Sequence, residues 1–253
     1  MGPITIHWYG LFLVLGMTAG IAVAWRFSRW HQLEPEQILD LSLWLIIGGI
    51  LGARIYEIFL EAPYYFQHPL AMFKFWEGGL AIHGAIIGGF LALYLFAKRY
   101  HLSVLTLMAL VVPGLALGQA IGRWGNWFNQ ELFGLPTDLP WGIPISLNNR
   151  PLAYAAYDFF HPTFLYESIG CLIIFIALLT LSYYWHERLN QRRLVIIVSS
   201  YLLGYAALRF GLELIKIDIT PMLWGLRWPQ WASIILVLIS LIWLLKNFKN
   251  KAV

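Results

Sequence analysis

Long apolar runs and shorter polar breaks follow one another along this chain, and the length of the runs matches the thickness of a bilayer. A helix that crosses the hydrocarbon needs about 20 predominantly apolar residues. Seven runs qualify, at 7–25, 38–60, 79–97, 104–122, 163–184, 194–213 and 230–245. The pattern predicts an all-α membrane protein of seven transmembrane helices, with 1–253 forming a single polytopic membrane domain. One break stands out. Residues 123–162, rich in Pro, Gly, Asn and Trp, are too many for a simple connection. They are expected to fold as a small outward-facing head inserted between spans four and five. No internal repeat is visible.

Composition agrees with that pattern. Of 253 residues 60% are hydrophobic and only 12% charged, whereas a soluble domain carries about 25% charged residues. The aromatic content of 17%, with 13 Trp, suits a protein whose Trp and Tyr sit where headgroups meet hydrocarbon. A net charge of +4 without any basic block gives no nucleic-acid partner, so the cations are read as topology signals. With the N-terminus outside, the inner segments hold Arg26, Arg29, Lys98, Arg99, Arg188, Arg192, Arg193, Lys246, Lys249 and Lys251. The outer loops then hold Lys74, Arg150, Lys216 and Arg227. This bias places the N-terminus outside and the C-terminus in the cytoplasm. The single Cys171 excludes an internal disulfide and a thiol metal cluster, and in its apolar run it reads as a small hydrophobe. No Lys or Arg precedes the first apolar run, unlike the positive start of a signal peptide.

Candidate chemistry lies in the polar residues that interrupt the spans, because a charge at mid-membrane costs at least about 2.5 kcal/mol. Tyr205, Arg209, Glu213 and Lys216 recur at helical spacing and would share one stripe of span six. Two readings stand: an Arg–Glu pair that cancels itself, or a site. The run Gly122-Arg123-Trp124-Gly125-Asn126-Trp127-Phe128-Asn129-Gln130-Glu131-Leu132-Phe133-Gly134 places one Arg, two Asn and one Glu at a membrane boundary. Arg holds a phosphate bidentately, and Asn can orient it or bond a glycerol hydroxyl. Helix capping would account for one Asn but not for the whole run. His83, near the start of span three, is either a satisfied core residue or a catalyst. Glu167, opening span five, would be a buried carboxylate that needs an arginine from span four or six. Tyr9 is an aromatic-belt residue or a site hydroxyl, and the belt is the simpler reading. Gly84 and Gly88, with Gly114, Gly118 and Gly122, read as close helix packing.

Taken together these segments resemble the prolipoprotein diacylglyceryl transferase family. The resemblance runs through Trp8-Tyr9-Gly10, Gly52-Ala53-Arg54, Glu77-Gly78-Gly79, His83-Gly84, the 122–134 run, His161-Pro162 with Leu165-Tyr166-Glu167, and Tyr205 with Arg209-Phe210. It covers nearly the whole chain in order, and the 122–134 run is its most specific part. It implies a seven-helix protein of the bacterial cytoplasmic (inner) membrane with its active site towards the outer face. It also implies phosphatidylglycerol as donor and, as acceptor, a prolipoprotein signal peptide with a lipobox cysteine. By position Arg123 and Arg209 match the family's essential arginines and His83 its essential-region histidine. Tyr9, Asn126, Glu131, Gly134, Tyr205 and Glu213 match further functional positions. Asn129 joins the expected lipid-binding set, and Arg54 and Glu167 are expected to support it. At three positions the chain departs: Lys216 and Phe160 stand where the family commonly has Arg, and Phe164 where it has Gln. Lys keeps the charge but loses the fork.

The implied chemistry is alkyl transfer. A cysteine sulfur attacks the glyceryl carbon next to the phosphoester, and glycerol phosphate leaves. Arg123 and Arg209 would hold the leaving phosphate, and His83, with a reference pKa near 6.5, is the candidate base; a phosphate oxygen is the other. The reaction calls for no cofactor and no metal. Three rivals are weighed. A transporter or channel would want an inverted repeat or a broken helix pair, and an intramembrane protease a Ser–His pair, two Asp or a zinc motif. The third is a family member that binds lipid without transferring it.

Overall fold

The computed structural model describes residues 8–218 and 220–249. His7, the expected first residue of span one, and Lys251 of the inward set lie outside the described residues. Eight α-helices occur among the described residues: α1 (Trp8–Ser28), α2 (Pro35–Leu60), the short α3 (Ala62–Gln67), α4 (Ile82–Arg99), α5 (Val104–Asn129), α6 (Thr163–Trp185), α7 (Gln191–Glu213) and α8 (Trp228–Lys249). All but α3 are long and apolar enough to cross a membrane. The seven expected spans therefore correspond to seven helices, most of them a few residues longer at one or both ends.

Local signals explain several boundaries. Pro35 opens α2 behind Glu34, whose backbone N–H donates to Gln37 Oε1 at 3.0 Å, an arrangement that satisfies donors a helix start leaves free. Asn190 caps α7 by accepting from the Arg193 N–H at 3.0 Å. The expected head boundary at 123 falls inside α5, which continues to Asn129. Nothing in Arg123–Asn129 stops a helix until Gln130, which adopts a left-handed conformation with φ 50° and ends it.

The chain divides into two units, Met1–Arg26 with Ala109–Val253, and Phe27–Met108. In the first, α6 packs on α7 and α7 on α8. Gly16 and Gly20 of α1 meet Gly118 and Gly114 of α5 backbone to backbone; a Cβ on Gly20 would lie 2.9 Å from the Gly114 carbonyl oxygen. A Cβ on Gly122, grouped with Gly114 and Gly118 by spacing, would meet no neighbouring element within 4 Å among the described residues, so the close approach stops at Gly118. In the second unit α2 packs along α4, with Gly48 and Gly52 against Gly84 and Gly88. Small residues of this kind let membrane helices approach closely.

Between α5 and α6, strand β1 (Ile143–Pro144) pairs antiparallel with β2 (Phe159–Phe160). Phe133, Ile145 and Phe160 form a small apolar core beneath them, with Ile143, Tyr154 and Ile217 packed on it. Phe160, where the family's Arg would stand, is fully buried there, its ring 4.9 Å from that of Phe133. Before α8 a second hairpin pairs β3 (Met222–Leu223) with β4 (Leu226–Arg227). Its turn residues, Trp224 at φ 49° and Gly225 at φ 78°, suit the right-handed twist of a tight hairpin.

Candidate functional site

The site is built in the first unit around one carboxylate. Glu167, on the second turn of α6, is 2% exposed. A bare carboxylate in such surroundings would be too costly to keep charged. Arg123 of α5 answers it with Nη2 at 2.6 Å from Oε1. Arg209 of α7 answers from the other side, Nη1 standing 3.8 Å from Oε2. Tyr205, one turn before Arg209, donates its hydroxyl to Oε1 at 3.4 Å. Two guanidiniums from different helices thus converge on one buried acid, and the carboxylate expected to need an arginine has two.

A polar chain continues from Arg123 along the end of α5. Arg123 Nη1 donates to Asn126 Oδ1 at 3.4 Å, and Asn126 Nδ2 to Glu131 Oε1 at 2.9 Å. Asn129 Nδ2 reaches the same oxygen at 3.3 Å. Asn126 is buried while Glu131 is exposed. This geometry is made by the late end of α5: Asn126 and Asn129 lie on its last turn, and the left-handed Gln130 and Leu132 fold Glu131 back over them. Tyr9 on α1 lies against Gly125 so closely that a Cβ there would come within 2.8 Å of its ring. The glycine is what lets Tyr9 sit one residue from Asn126.

Glu213 is the second buried carboxylate. Its Oε2 lies 3.3 Å from Arg209 Nη2. Its Oε1 accepts from Arg227 Nη1 at 3.2 Å and from the Thr220 hydroxyl at 3.3 Å. Arg227 was assigned only to an outer loop, and the sequence held no signal to bring it here, since a hairpin between α7 and α8 carries it back. Lys216 is also placed differently from its helical spacing. Helix α7 ends at Glu213, and Lys216 lies in extended chain bridged antiparallel to Gly134. Gly134 crosses tightly there: a Cβ would sit 2.8 Å from the Ile215 carbonyl oxygen and 2.9 Å from His161 Cβ. The absence of a side chain is what allows this backbone approach. Lys216 is buried, and burial pushes its ammonium pKa down, with the neighbouring Arg209 charge acting in the same direction.

Four cations, Arg123, Arg209, Lys216 and Arg227, therefore stand about two buried carboxylates. One fully buried donor among them lacks a hydrogen bond. Nη1 of Arg209 is buried and has no hydrogen-bond partner among the described residues. Phe164, where the family's Gln would stand, belongs to an aromatic cluster, its ring 5.2 Å from Trp127 and 5.5 Å from Trp124.

His83 and Arg54 belong to the second unit. His83 is exposed near the start of α4, its ring 6.0 Å from that of Tyr56. Arg54 of α2 is buried and donates to the carbonyls of Met72 at 3.0 Å, Gly78 at 2.7 Å, Gly79 at 2.9 Å and Lys74 at 3.3 Å, and to that of Ala71. Among the described residues no group of three or more His, Cys, Asp or Glu is placed to hold a metal ion.

The whole-chain comparisons point the same way as these side chains. Residues 1–246 match the family model described as prolipoprotein diacylglyceryl transferase. The chain is 43% identical over 250 residues to the phosphatidylglycerol–prolipoprotein diacylglyceryl transferase of Synechococcus elongatus, covering 96% of this chain and 85% of that protein. It is 44% identical over 249 residues to the protein of that name from Trichormus variabilis, covering 96% and 87%. Against the one from Synechocystis it is 40% identical over 253 residues, covering 99% and 89%. With seven membrane-spanning helices and a match along almost its full length, this chain belongs to the prolipoprotein diacylglyceryl transferase family.

Proposed function

We propose that this membrane transferase moves the diacylglyceryl group of phosphatidylglycerol onto the lipobox cysteine of a prolipoprotein signal peptide and releases glycerol phosphate. The peptide sulfur forms a bond to the glyceryl carbon, and the bond from that carbon to the phosphate oxygen breaks. The donor phosphate begins as a monoanionic diester and leaves as a monoester able to carry a second charge. Catalysis therefore needs positive charge that is already in place where that second charge appears. Arg123 and Arg209 supply it, held apart and aimed by Glu167, with Tyr205 fixing the carboxylate. Asn126, Asn129 and Glu131 orient the glycerol headgroup. Glu213 steadies Arg209, Gly134 lets the chain beside Lys216 approach, and Tyr9 closes the site from α1. The thiol proton goes to a base, for which His83 is the candidate, or to a phosphate oxygen.

The protein would sit in the bacterial inner membrane with its N-terminus outside, its C-terminus in the cytoplasm and the segment between α5 and α6 at the outer face. One observation supports the reading above all: among the described residues the buried Nη1 of Arg209 makes no hydrogen bond and stands 3.8 Å from Glu167 Oε2, beyond hydrogen-bond reach. A buried donor without a hydrogen bond is expensive, and a phosphate oxygen would satisfy it. In a lipid-binding protein without transferase activity the peptide would stay unmodified. The test is incubation of the purified protein with phosphatidylglycerol and a lipobox peptide, followed by mass measurement. The expected result is a peptide heavier by one diacylglyceryl group and an equal amount of glycerol phosphate. Bound lipid with unchanged peptide would overturn the reading.

A further inference from the structure

A carboxylate four residues beyond an arginine on a helix normally closes on it, since i,i+4 partners are neighbours and a guanidinium fork matches a carboxylate with two parallel bonds. Arg209 and Glu213 have that spacing, yet the fork is not formed. Among the described residues Glu213 Oε2, 3.3 Å from Nη2 of Arg209, makes no hydrogen bond, and Nη1 of Arg209 makes none either, its ion-pair partner Glu167 Oε2 standing at 3.8 Å. The other oxygen of Glu213 is engaged elsewhere. It accepts from Arg227 Nη1 at 3.2 Å and from Thr220 at 3.3 Å, and Arg227 also reaches the Glu213 backbone carbonyl at 3.4 Å. Arg227 is itself fixed: its backbone N–H donates to Gln230 Oε1 at 3.0 Å, in the first turn of α8.

From this geometry we infer that Arg227 is a positioning residue for the transfer reaction: it holds Glu213 to one side and so leaves the guanidinium of Arg209 unsaturated, with Nη1 open to the phosphate of the lipid. The inference rests on the anion-site reading above. It assigns to the β3–β4 hairpin a task separate from substrate contact. Arg227 competes with Arg209 for one carboxylate and wins one of its oxygens. Without Arg227, Glu213 would turn both oxygens onto Arg209 and occupy the donor that the phosphate needs. The effect acts on the hold of the anion. It should raise KM for phosphatidylglycerol and weaken inhibition by glycerol phosphate more than it lowers kcat. It should also depend on Glu213 being charged.

The experiment measures binding of glycerol phosphate to the purified protein by calorimetry, alongside KM and kcat for transfer. Arg227→Gln is expected to weaken binding about tenfold, the range typical of coupled charge pairs. Arg227→Lys, which keeps the charge at Glu213, should stay within about threefold of the parent. In a Glu213→Gln background Arg227→Gln should have almost no further effect, because the competing carboxylate is gone. If Arg227 merely anchored the hairpin, Arg227→Lys would fail with Arg227→Gln, and the loss would persist in the Glu213→Gln background; either result overturns the inference. Unaltered binding in Arg227→Gln, with the parent protein binding normally, overturns it too and leaves the anion site standing. A parent protein that transfers nothing and binds no glycerol phosphate overturns both.

Discussion

Arg54 is buried while Arg123 and Arg209 are half-buried, and the difference in what each guanidinium binds separates scaffold from the proposed site. Arg54 spends its donors on five backbone carbonyls between Ala71 and Gly79, and no carboxylate pairs with it among the described residues. Its charge serves a loop, gathering carbonyls from along the segment round one guanidinium. Arg123 and Arg209 instead share one acid, and Nη1 of Arg209 makes no hydrogen bond among the described residues. Buried charge alone is thus a poor sign of function. What marks the site is a guanidinium that is held in place but not saturated.

The sharpest way to break that comparison is to replace each kind of arginine. Arg123→Lys and Arg209→Lys retain a positive charge but lose the fork that meets Glu167 and that, in the proposed reaction, would hold the phosphate. Each should lower kcat by about 10²–10³ while the protein still inserts and melts cooperatively, as followed by transfer rate and by thermal unfolding in detergent. Either variant at full activity would remove the phosphate clamp.

Arg54→Gln should behave in the opposite way. Several of the carbonyls it serves would be left unsatisfied, at about 1–3 kcal/mol for each that water cannot reach. A total near 3 kcal/mol is expected, read as a lower melting temperature and as faster amide exchange across 71–79. Transfer measured well below that melting point should fall far less than in Arg209→Lys. A stable Arg54→Gln protein without activity would erase the distinction between the two kinds of arginine.

Seven crossings were legible because a bilayer imposes one length on every apolar run, and the runs at 104–122 and 194–213 reappear within α5 and α7. The convergence of Arg123, Arg209 and Glu167 was half-legible. Polar residues in a span must face inward and find partners, which told that Glu167 needed an arginine but not that both would come. Arg227 was hidden because its approach depends on a hairpin return that no periodicity records. Lys216 misled by spacing: it continues the 4, 4, 3 rhythm of Tyr205, Arg209 and Glu213 after the helix has ended, and it is the pairing with Gly134 that buries it. The aromatic replacements at Phe160 and Phe164 also became intelligible only with packing, since each is covered by other rings.

The smallest effect expected concerns Lys216, and its sign can be worked out. Burial disfavours the ammonium, and the adjacent Arg209 adds repulsion, so Lys216 loses its proton below the ordinary value of 10.5. Arginine side chains are not deprotonated in proteins. As pH rises, the cation cluster therefore loses Lys216 first, and its hold on phosphate weakens on the alkaline side. The thiol of the peptide pulls the rate the other way, because its thiolate fraction grows through a pKa of about 8.5. The two trends separate in a ratio. Lys216→Arg cannot titrate in this range, while the peptide thiol is the same for both proteins. Near neutral pH the two should differ by about twofold at most, a cost of fitting a larger head into a buried position. The ratio of Lys216→Arg activity to parent activity should then climb as pH rises. A ratio that stays flat across the alkaline limb would mean that the charge of Lys216 is not felt by the lipid phosphate, and that Arg123 and Arg209 hold it without a third cation.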